Sequence, residues 1–200
     1  MNSKGFTLLE VILVCLVLGI VSVVVMPRIL NLQNDARIAV VEKTFSSFQE
    51  AIRFSHAKWQ VNGEGNTAIS NMYGYGPTDD SGNYMLDMND VGYPVGINKR
   101  EPMTTPHNIG EGDKGCYELF SAVVSTGFIF STSDGDSSSA DFITKRKNYT
   151  FLDAAGISQT KLAICYYIYT KQGFHSDPSL AEVVYWYNSR DGSVAKTEPN

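Results

Sequence analysis

A single carboxylate, Glu10, lies near the start of an otherwise uncharged apolar segment. Of the 21 residues from Phe6 to Met26, only Glu10 is charged, and the rest of the segment contains no Lys, Arg or His. A carboxylate in lipid costs about 2.5–3.5 kcal/mol on insertion scales, so it suggests a functional site and predicts a cationic partner. Glu10 therefore either extends to the near membrane surface or pairs with a cation from elsewhere. One such cation is an N-terminal amine created by cleavage between Gly5 and Phe6.

The three cysteines divide between the apolar segment and the rest of the chain. Cys15 lies inside the segment and behaves there as a small hydrophobic residue. Cys116 and Cys165 remain as a pair, and in an oxidising compartment a disulfide between them is the default. It would close a loop of 48 intervening residues and contribute about 4 kcal/mol of loop entropy. A zinc site is the competing interpretation, but no CxxC or HxxxH motif supplies the further ligands.

No catalytic motif is present. The chain lacks GxSxG, HExxH, GxxxxGK[ST] and a GxGxxG after a strand, and its histidines, His56, His107 and His175, are scattered. We therefore expect neither enzymatic activity nor a cofactor. Acidic residues cluster at 79–90 and 134–141, and such oxygens could hold Ca²⁺. Neither cluster has EF-hand spacing, so solvated turns are favoured and no metal site is predicted.

Composition and charge narrow the class of protein further. The chain has 200 residues, 43% of them apolar, which suffices for one membrane helix and one domain with a core. Its net charge is −5, which argues against nonspecific binding to nucleic acid. A short basic run at 145–147 is favoured as a solvated loop or strand edge over a nucleic-acid patch.

The apolar segment and the residues after it predict one long helix. As a helix, residues 6–26 span about 30 Å, enough to cross a membrane and too long for a secretory signal peptide. Residues 28–61 continue as an amphipathic helix, since an apolar stripe recurs at spacings of three, four and seven. Pro27 predicts a kink between the two halves because it has no backbone N–H. A cluster of Asn and Gly at 62–66 ends the helix.

The remaining residues predict an irregular region and then a sheet. Residues 62–115 are rich in glycine and proline, with short strands possible at 84–86 and 93–96. Residues 116–200 predict a short helix at 116–124 and antiparallel strands at 149–153, 162–170, 182–188 and 193–196. One sheet face would pack on the long helix, while an aromatic face left exposed would be a contact surface. The predicted fold class is α+β.

The segment Lys4–Glu10, KGFTLLE, resembles the prepilin peptidase recognition sequence of type IV pilins and type II secretion pseudopilins. In these families a short basic leader ends in glycine, and the next residue becomes an N-methylated phenylalanine. The resemblance therefore implies a leader at residues 1–5, cleavage between Gly5 and Phe6, and methylation of Phe6. It also implies that Glu10 assists assembly.

The resemblance implies a fold, partners and a location as well. The pilin fold has a long N-terminal helix packed on an antiparallel sheet, here with a membrane half at 6–27 and an amphipathic half at 28–61. The expected partners are prepilin peptidase, other pilin subunits and the inner-membrane assembly platform. A pilin is held in the inner membrane by one span, with its C-terminal domain in the periplasm, and later joins an extracellular pilus.

Three weaker similarities point to pilins of the mannose-sensitive haemagglutinin (MSHA) type, especially their minor members: the cluster at 87–94, a cysteine that begins a short helix, and the closing YWYN segment with its DGSV turn. They imply a minor pilus subunit that supports attachment. Two alternatives stay open. One is a type II secretion pseudopilin, and the other is an adhesive or DNA-binding subunit at the pilus tip.

Overall fold

The computed structural model describes residues 7–63, 65–97, 99, 103, 105–153 and 155–197, without the side chains of residues 24, 27, 30 and 31. Its first element is the helix α1, Leu8–Asn62, which has 55 residues and agrees with the predicted helix. The chain divides into two compact units, Met1–Lys43 and Thr44–Asn200, and α1 contributes to both. Pro27 is helical, but its side chain lies outside the description, so the kink stays a prediction.

In the first unit, large apolar side chains of α1 are exposed from Leu8 to Met26, Leu9 by 73% and Leu18 by 59% of their surface. Within the part of the chain that the structure describes, no helix combines the length and the hydropathy required of a membrane span. The membrane span over residues 6–27 therefore stays a prediction, and Phe6 itself lies outside the described residues.

The elements that follow α1 are β1 Leu86–Met88, β2 Pro94–Ile97, α2 Gly115–Val123, β3 Phe130–Ser131, a 3₁₀ turn Asp134–Asp136, β4 Phe142–Leu152, β5 Ser158–Tyr169, β6 Val184–Asn188 and β7 Val194–Thr197. The second unit is built on a five-stranded sheet of order β3-β4-β5-β6-β7. β3 pairs with β4 in parallel, and the other neighbours are antiparallel. A separate antiparallel pair, β1 and β2, and the short helix α2 precede this sheet.

The sheet begins earlier than the sequence predicted. β4 starts at Phe142, not at residue 149, so the basic run 145–147 lies within a strand. Its charges have partners there: Lys145 Nζ lies 2.6 Å from Asp134 Oδ2, and Arg146 Nη1 donates to the Ile109 carbonyl at 3.0 Å. Because these side chains are charged, this part of β4 lacks the apolar alternation from which strands are predicted.

Aromatic rings join α1 to the inner face of the sheet. Phe45 stacks on Tyr185 with ring centroids 3.9 Å apart and also contacts Tyr167 at 5.4 Å. One turn later, Phe48 contacts Tyr187 at 5.5 Å and stacks on Phe120 of α2 at 4.5 Å. Both phenylalanines are buried, so the predicted apolar stripe is the face of α1 that packs on the sheet.

The region 62–115 is more ordered than the sequence predicted, because long-range hydrogen bonds hold it. Asn89 Nδ2 donates to the carbonyl of Ser189, a hundred residues further on, at 2.5 Å. The buried Asp87 carboxylate accepts from the N–H groups of Asn71 and Lys99 at 2.9 and 2.8 Å. These bonds satisfy the polar backbone that a region without regular structure would otherwise leave unpaired.

We predict that Phe48→Ala lowers the free energy of unfolding by about 3–5 kcal/mol, since it leaves a cavity against the sheet. Phe54→Ala is the matched control on the same helix. Phe54 is 64% exposed, so its loss should change stability by less than about 0.5 kcal/mol. Urea denaturation of the full chain in detergent micelles, followed by tryptophan fluorescence, measures both. Equal losses in the two variants would contradict the packing described here.

Candidate functional site

Glu10 lies in the first turn of α1 and is exposed. Its backbone N–H donates to the Thr7 carbonyl at 3.1 Å and reaches the Thr7 hydroxyl at 3.3 Å, so Thr7 satisfies a donor that a helix start leaves unpaired. Among the described residues, no cation lies within ion-pair distance of the Glu10 carboxylate. Gly5 and Phe6 lie outside the described residues, so cleavage, methylation and the pairing of Glu10 stay predictions.

A disulfide joins Cys116 to Cys165, the pairing that the sequence analysis favoured. It connects the first turn of α2 with the middle of β5, and both cysteines are buried. The hydroxyl of Tyr167, two residues along β5, donates to the Cys116 carbonyl at 3.0 Å. α2 is therefore fixed to the sheet by a covalent bond and a hydrogen bond, beside the ring contact with Phe48. Cys15 is free and exposed on α1.

Comparison with known protein families identifies the N-terminal segment. Residues 1–26 match the family model described as the prokaryotic N-terminal methylation motif. The motif supports a prokaryotic type IV pilin-like protein. It covers Gly5, Phe6 and Glu10, and it indicates processing by prepilin peptidase and assembly with other pilin subunits. No curated protein and no solved structure matches the chain.

The fold of the chain agrees with the motif. A long N-terminal helix packs on a mostly antiparallel C-terminal sheet, which is the predicted α+β architecture. Residues 8–26 of the motif therefore lie on the helix that this architecture requires. It does not distinguish a pilus subunit from a pseudopilin, because both share the recognition sequence.

Aspartates of both acidic clusters make local hydrogen bonds. Asp79 accepts from the N–H groups of Ser81 and Asn83 at 2.9 and 2.8 Å, and Asp136 accepts from the Ser131 hydroxyl at 2.5 Å. Across the residues that the structure describes, no group of three or more His, Cys, Asp or Glu side chains could hold a metal ion. Not every acidic residue of the clusters is solvated, because Asp87 is buried in β1.

The structure brings His107 into a charged cluster that sequence reasoning missed. Arg190 Nη1 lies 2.5 Å from Asp90 Oδ1 and 3.1 Å from His107 Nδ1, and His107 Nδ1 lies 3.3 Å from Asp90. The Arg190 guanidinium also covers the Phe151 ring at 4.1 Å. Asp90 and Arg190 are a hundred residues apart, and no local pattern relates them. Only the Asp-Gly turn after Arg190 was visible in the sequence.

Burial lowers the pKa of His107, and Arg190 lowers it further against the opposing effect of Asp90. The neutral ring fits the geometry, because a guanidinium can only donate and Nδ1 must therefore accept. The remaining proton lies on Nε2. The other two histidines have different partners: His56 of α1 has its Nδ1 2.9 Å from the Gly92 carbonyl, and His175 Nδ1 accepts from the N–H of Asp177.

We predict that replacing both disulfide cysteines, Cys116→Ala with Cys165→Ala, lowers the free energy of unfolding by about 2–5 kcal/mol, because the unfolded chain loses a closed loop. Cys15→Ala is the control, since Cys15 is free and exposed. Its stability in urea should equal that of the wild-type chain. A double variant as stable as the Cys15 variant would contradict the structural role of the bond.

Proposed function

We propose that this chain is a subunit of a bacterial type IV pilus, cut by prepilin peptidase after Gly5, methylated at Phe6 and assembled through α1. The observation that carries the proposal is the methylation motif at residues 1–26, which lies at the start of a 55-residue helix. A helix of that length exceeds what one domain needs for its core. In a filament, the same helices of many subunits can pack together along the axis. The role is structural, without enzymatic activity or cofactor.

Glu10 supplies the charge chemistry of assembly in this proposal. Cleavage creates an amine at Phe6, about one helical turn from Glu10 or opposite the Glu10 of a neighbouring copy. In an apolar environment an unpaired carboxylate is costly, so pairing with this amine selects one axial position of each new helix. Such a buried ion pair fixes the axial position of a helix in the filament more than it stabilises the filament. The structure is compatible with this role, since Glu10 is exposed.

Before assembly, we place the chain in the inner membrane by one span, with residues 44–200 in the periplasm. Two features support this location. The apolar side chains of α1 from Leu8 to Met26 are exposed to whatever surrounds them, and lipid is the medium that favours them. The disulfide between Cys116 and Cys165 suits an oxidising compartment. The assembly platform and other pilins are the proposed partners there.

Within type IV pilins we propose a minor subunit of the MSHA type that supports attachment. Its support is the set of similar segments, which fall in three places: 87–94 runs from β1 into β2, Cys116 lies in the first turn of α2, and the YWYN segment lies in β6. The alternative is a type II secretion pseudopilin. Gene neighbours that encode a secretin-linked exoprotein system, and no pilus operon, would favour the pseudopilin.

The processing proposal predicts the mass of the mature protein. Chain recovered from cells that express a prepilin peptidase should begin at Phe6 and be heavier by one methyl group than the cleaved sequence. Gly5→Leu should retain Met1. Gly19→Leu is the matched control, because a side chain at Gly19 meets no atom within 4 Å and should leave processing unchanged. Mass spectrometry that finds wild-type chain intact from Met1 would overturn the proposal.

A further inference from the structure

A small cavity lies between the segment 105–108 and the strand β5. Its volume is about 190 Å³, below the roughly 300–1,000 Å³ of sites for drug-sized molecules. Six residues line it: Thr105, Pro106, His107, Asn108, Gln159 and Lys161. The size fits one sugar ring, and the lining is polar except for the proline.

The charge of the cavity comes from Lys161. Among the described residues, no carboxylate lies within ion-pair distance of its ammonium group. Two carboxylates of this region have partners of their own: Asp90 pairs with Arg190, and Asp153 accepts from Gln159 and from the N–H groups of the turn that joins β4 to β5. Lys161 is therefore the charged side chain among the six that line the cavity, and a monoanionic ligand would pair with it.

The other polar groups have hydrogen-bonding directions fixed by their partners. His107 accepts from Arg190 at Nδ1, so only its Nε2–H is left to donate. Asn108 Oδ1 accepts from the Leu162 N–H at 2.9 Å, which leaves the amide NH₂ as a donor. Gln159 Nε2 donates to Asp153 at 3.0 Å, which leaves Oε1 as an acceptor. The cavity thus offers several donors and one acceptor around a single cation.

The wall that carries these groups is held in place before any ligand arrives. The buried Lys99 ammonium donates to the carbonyl of Thr105 at 2.8 Å and to that of Asn108. The Ile109 N–H donates to the Leu162 carbonyl at 2.9 Å, so the segment is fixed to β5 as well. A wall fixed in this way loses little conformational entropy on binding, which favours affinity for a small ligand.

We propose that this cavity binds a carboxylate-bearing sugar unit, a hexuronate. Lys161 pairs with the carboxylate, while the donors from His107 and Asn108 and the Gln159 acceptor bind ring hydroxyls. The face of Pro106 packs against the C–H face of the ring. One cation among neutral donors fits a monoanion better than a phosphate dianion. On a filament surface, such a site would recognise acidic polysaccharide, but the inference does not depend on filament assembly.

The test is a titration of the full chain in detergent micelles with glucuronate, followed by ligand-observed NMR. At about 0.3 kcal/mol per non-hydrogen atom, a hexuronate should bind with a dissociation constant in the millimolar range. Glucose, which lacks the carboxylate, and acetate, which lacks the ring, should each bind at least several-fold more weakly. Inorganic phosphate should compete poorly.

Lys161→Gln keeps a long polar side chain without its charge and should weaken glucuronate binding about tenfold. Lys171→Gln is the matched control, because Lys171 is exposed and its ammonium donates to the Ser138 carbonyl, outside the cavity. It should bind as the wild type does. Thr105→Val is a second variant: it removes a hydroxyl that lines the cavity and could bind a ring hydroxyl, leaves the backbone bond from Lys99 intact, and should weaken glucuronate binding several-fold.

Three outcomes would overturn the inference. The first is the absence of saturable glucuronate binding. The second is equal binding of glucuronate by the Lys161 and Lys171 variants when near-ultraviolet circular dichroism shows that both are folded. The third is binding of phosphate as tight as that of glucuronate. If Lys161→Gln does not fold, the Thr105→Val variant decides: glucuronate binding as tight as that of the wild type would overturn the inference. A chain that binds glucuronate but is not processed at Phe6 would support this inference and contradict the pilus proposal.

Discussion

The stacking of Phe45 and Phe48 of α1 on the aromatic inner face of the sheet is the contact on which the second unit depends. A helix with a polar outer side has little stability by itself and needs an apolar surface to cover its stripe. The sheet has the complementary need, since Tyr167, Tyr185 and Tyr187 all point to that face. Ring pairs of this kind are worth about 0.5–1.5 kcal/mol each beyond the area they bury.

Two tyrosines of that face, Tyr167 and Tyr187, also make hydrogen bonds through their buried hydroxyls. The Tyr167 hydroxyl donates to Cys116 of α2, and the Tyr187 hydroxyl donates to Pro94 of β2 at 2.8 Å. Burial raises the pKa of both tyrosines, so both remain neutral donors. The same residues that hold α1 thus also position the two elements that precede the sheet. The 62–115 region acquires its order from these bonds and from Asn89 and Asp87.

The sequence predicted the parts of the fold that depend on local pattern. Three such features are the 3.6-residue periodicity of α1, the helix α2 around Cys116 and the Asp-Gly turn before β7. They were visible because neighbouring residues produce them. The turn also shows why Gly192 is needed: it has φ of 70°, and a side chain there would meet the Tyr93 ring. Tyr93, however, could not be placed beside that turn from sequence.

The functional residues also divide into those that the sequence reveals and those that only the folded chain brings together. The motif around Glu10 is contiguous, so it was readable and the family comparison recovers it. The cluster of Asp90, His107 and Arg190 and the cavity beside it are assembled from four separate segments. Their side chains are of ordinary types at unremarkable spacings, and only the hydrogen bonds of the folded chain bring them together. The early part of β4 was missed because its charges have tertiary partners that the sequence does not show.

The central claim is that the chain assembles into filaments through Glu10 on α1, and incorporation of a Glu10→Ala variant tests it most directly. Glu50→Ala is the matched control, since Glu50 lies on the same helix in an exposed pair with Arg53 at 2.8 Å, worth only about 0.3–0.5 kcal/mol. Quantitative immunoblotting of sheared filaments should show incorporation of the Glu10 variant reduced about tenfold or more. The Glu50 variant should match the wild type. Undiminished incorporation of Glu10→Ala in correct register would contradict the account.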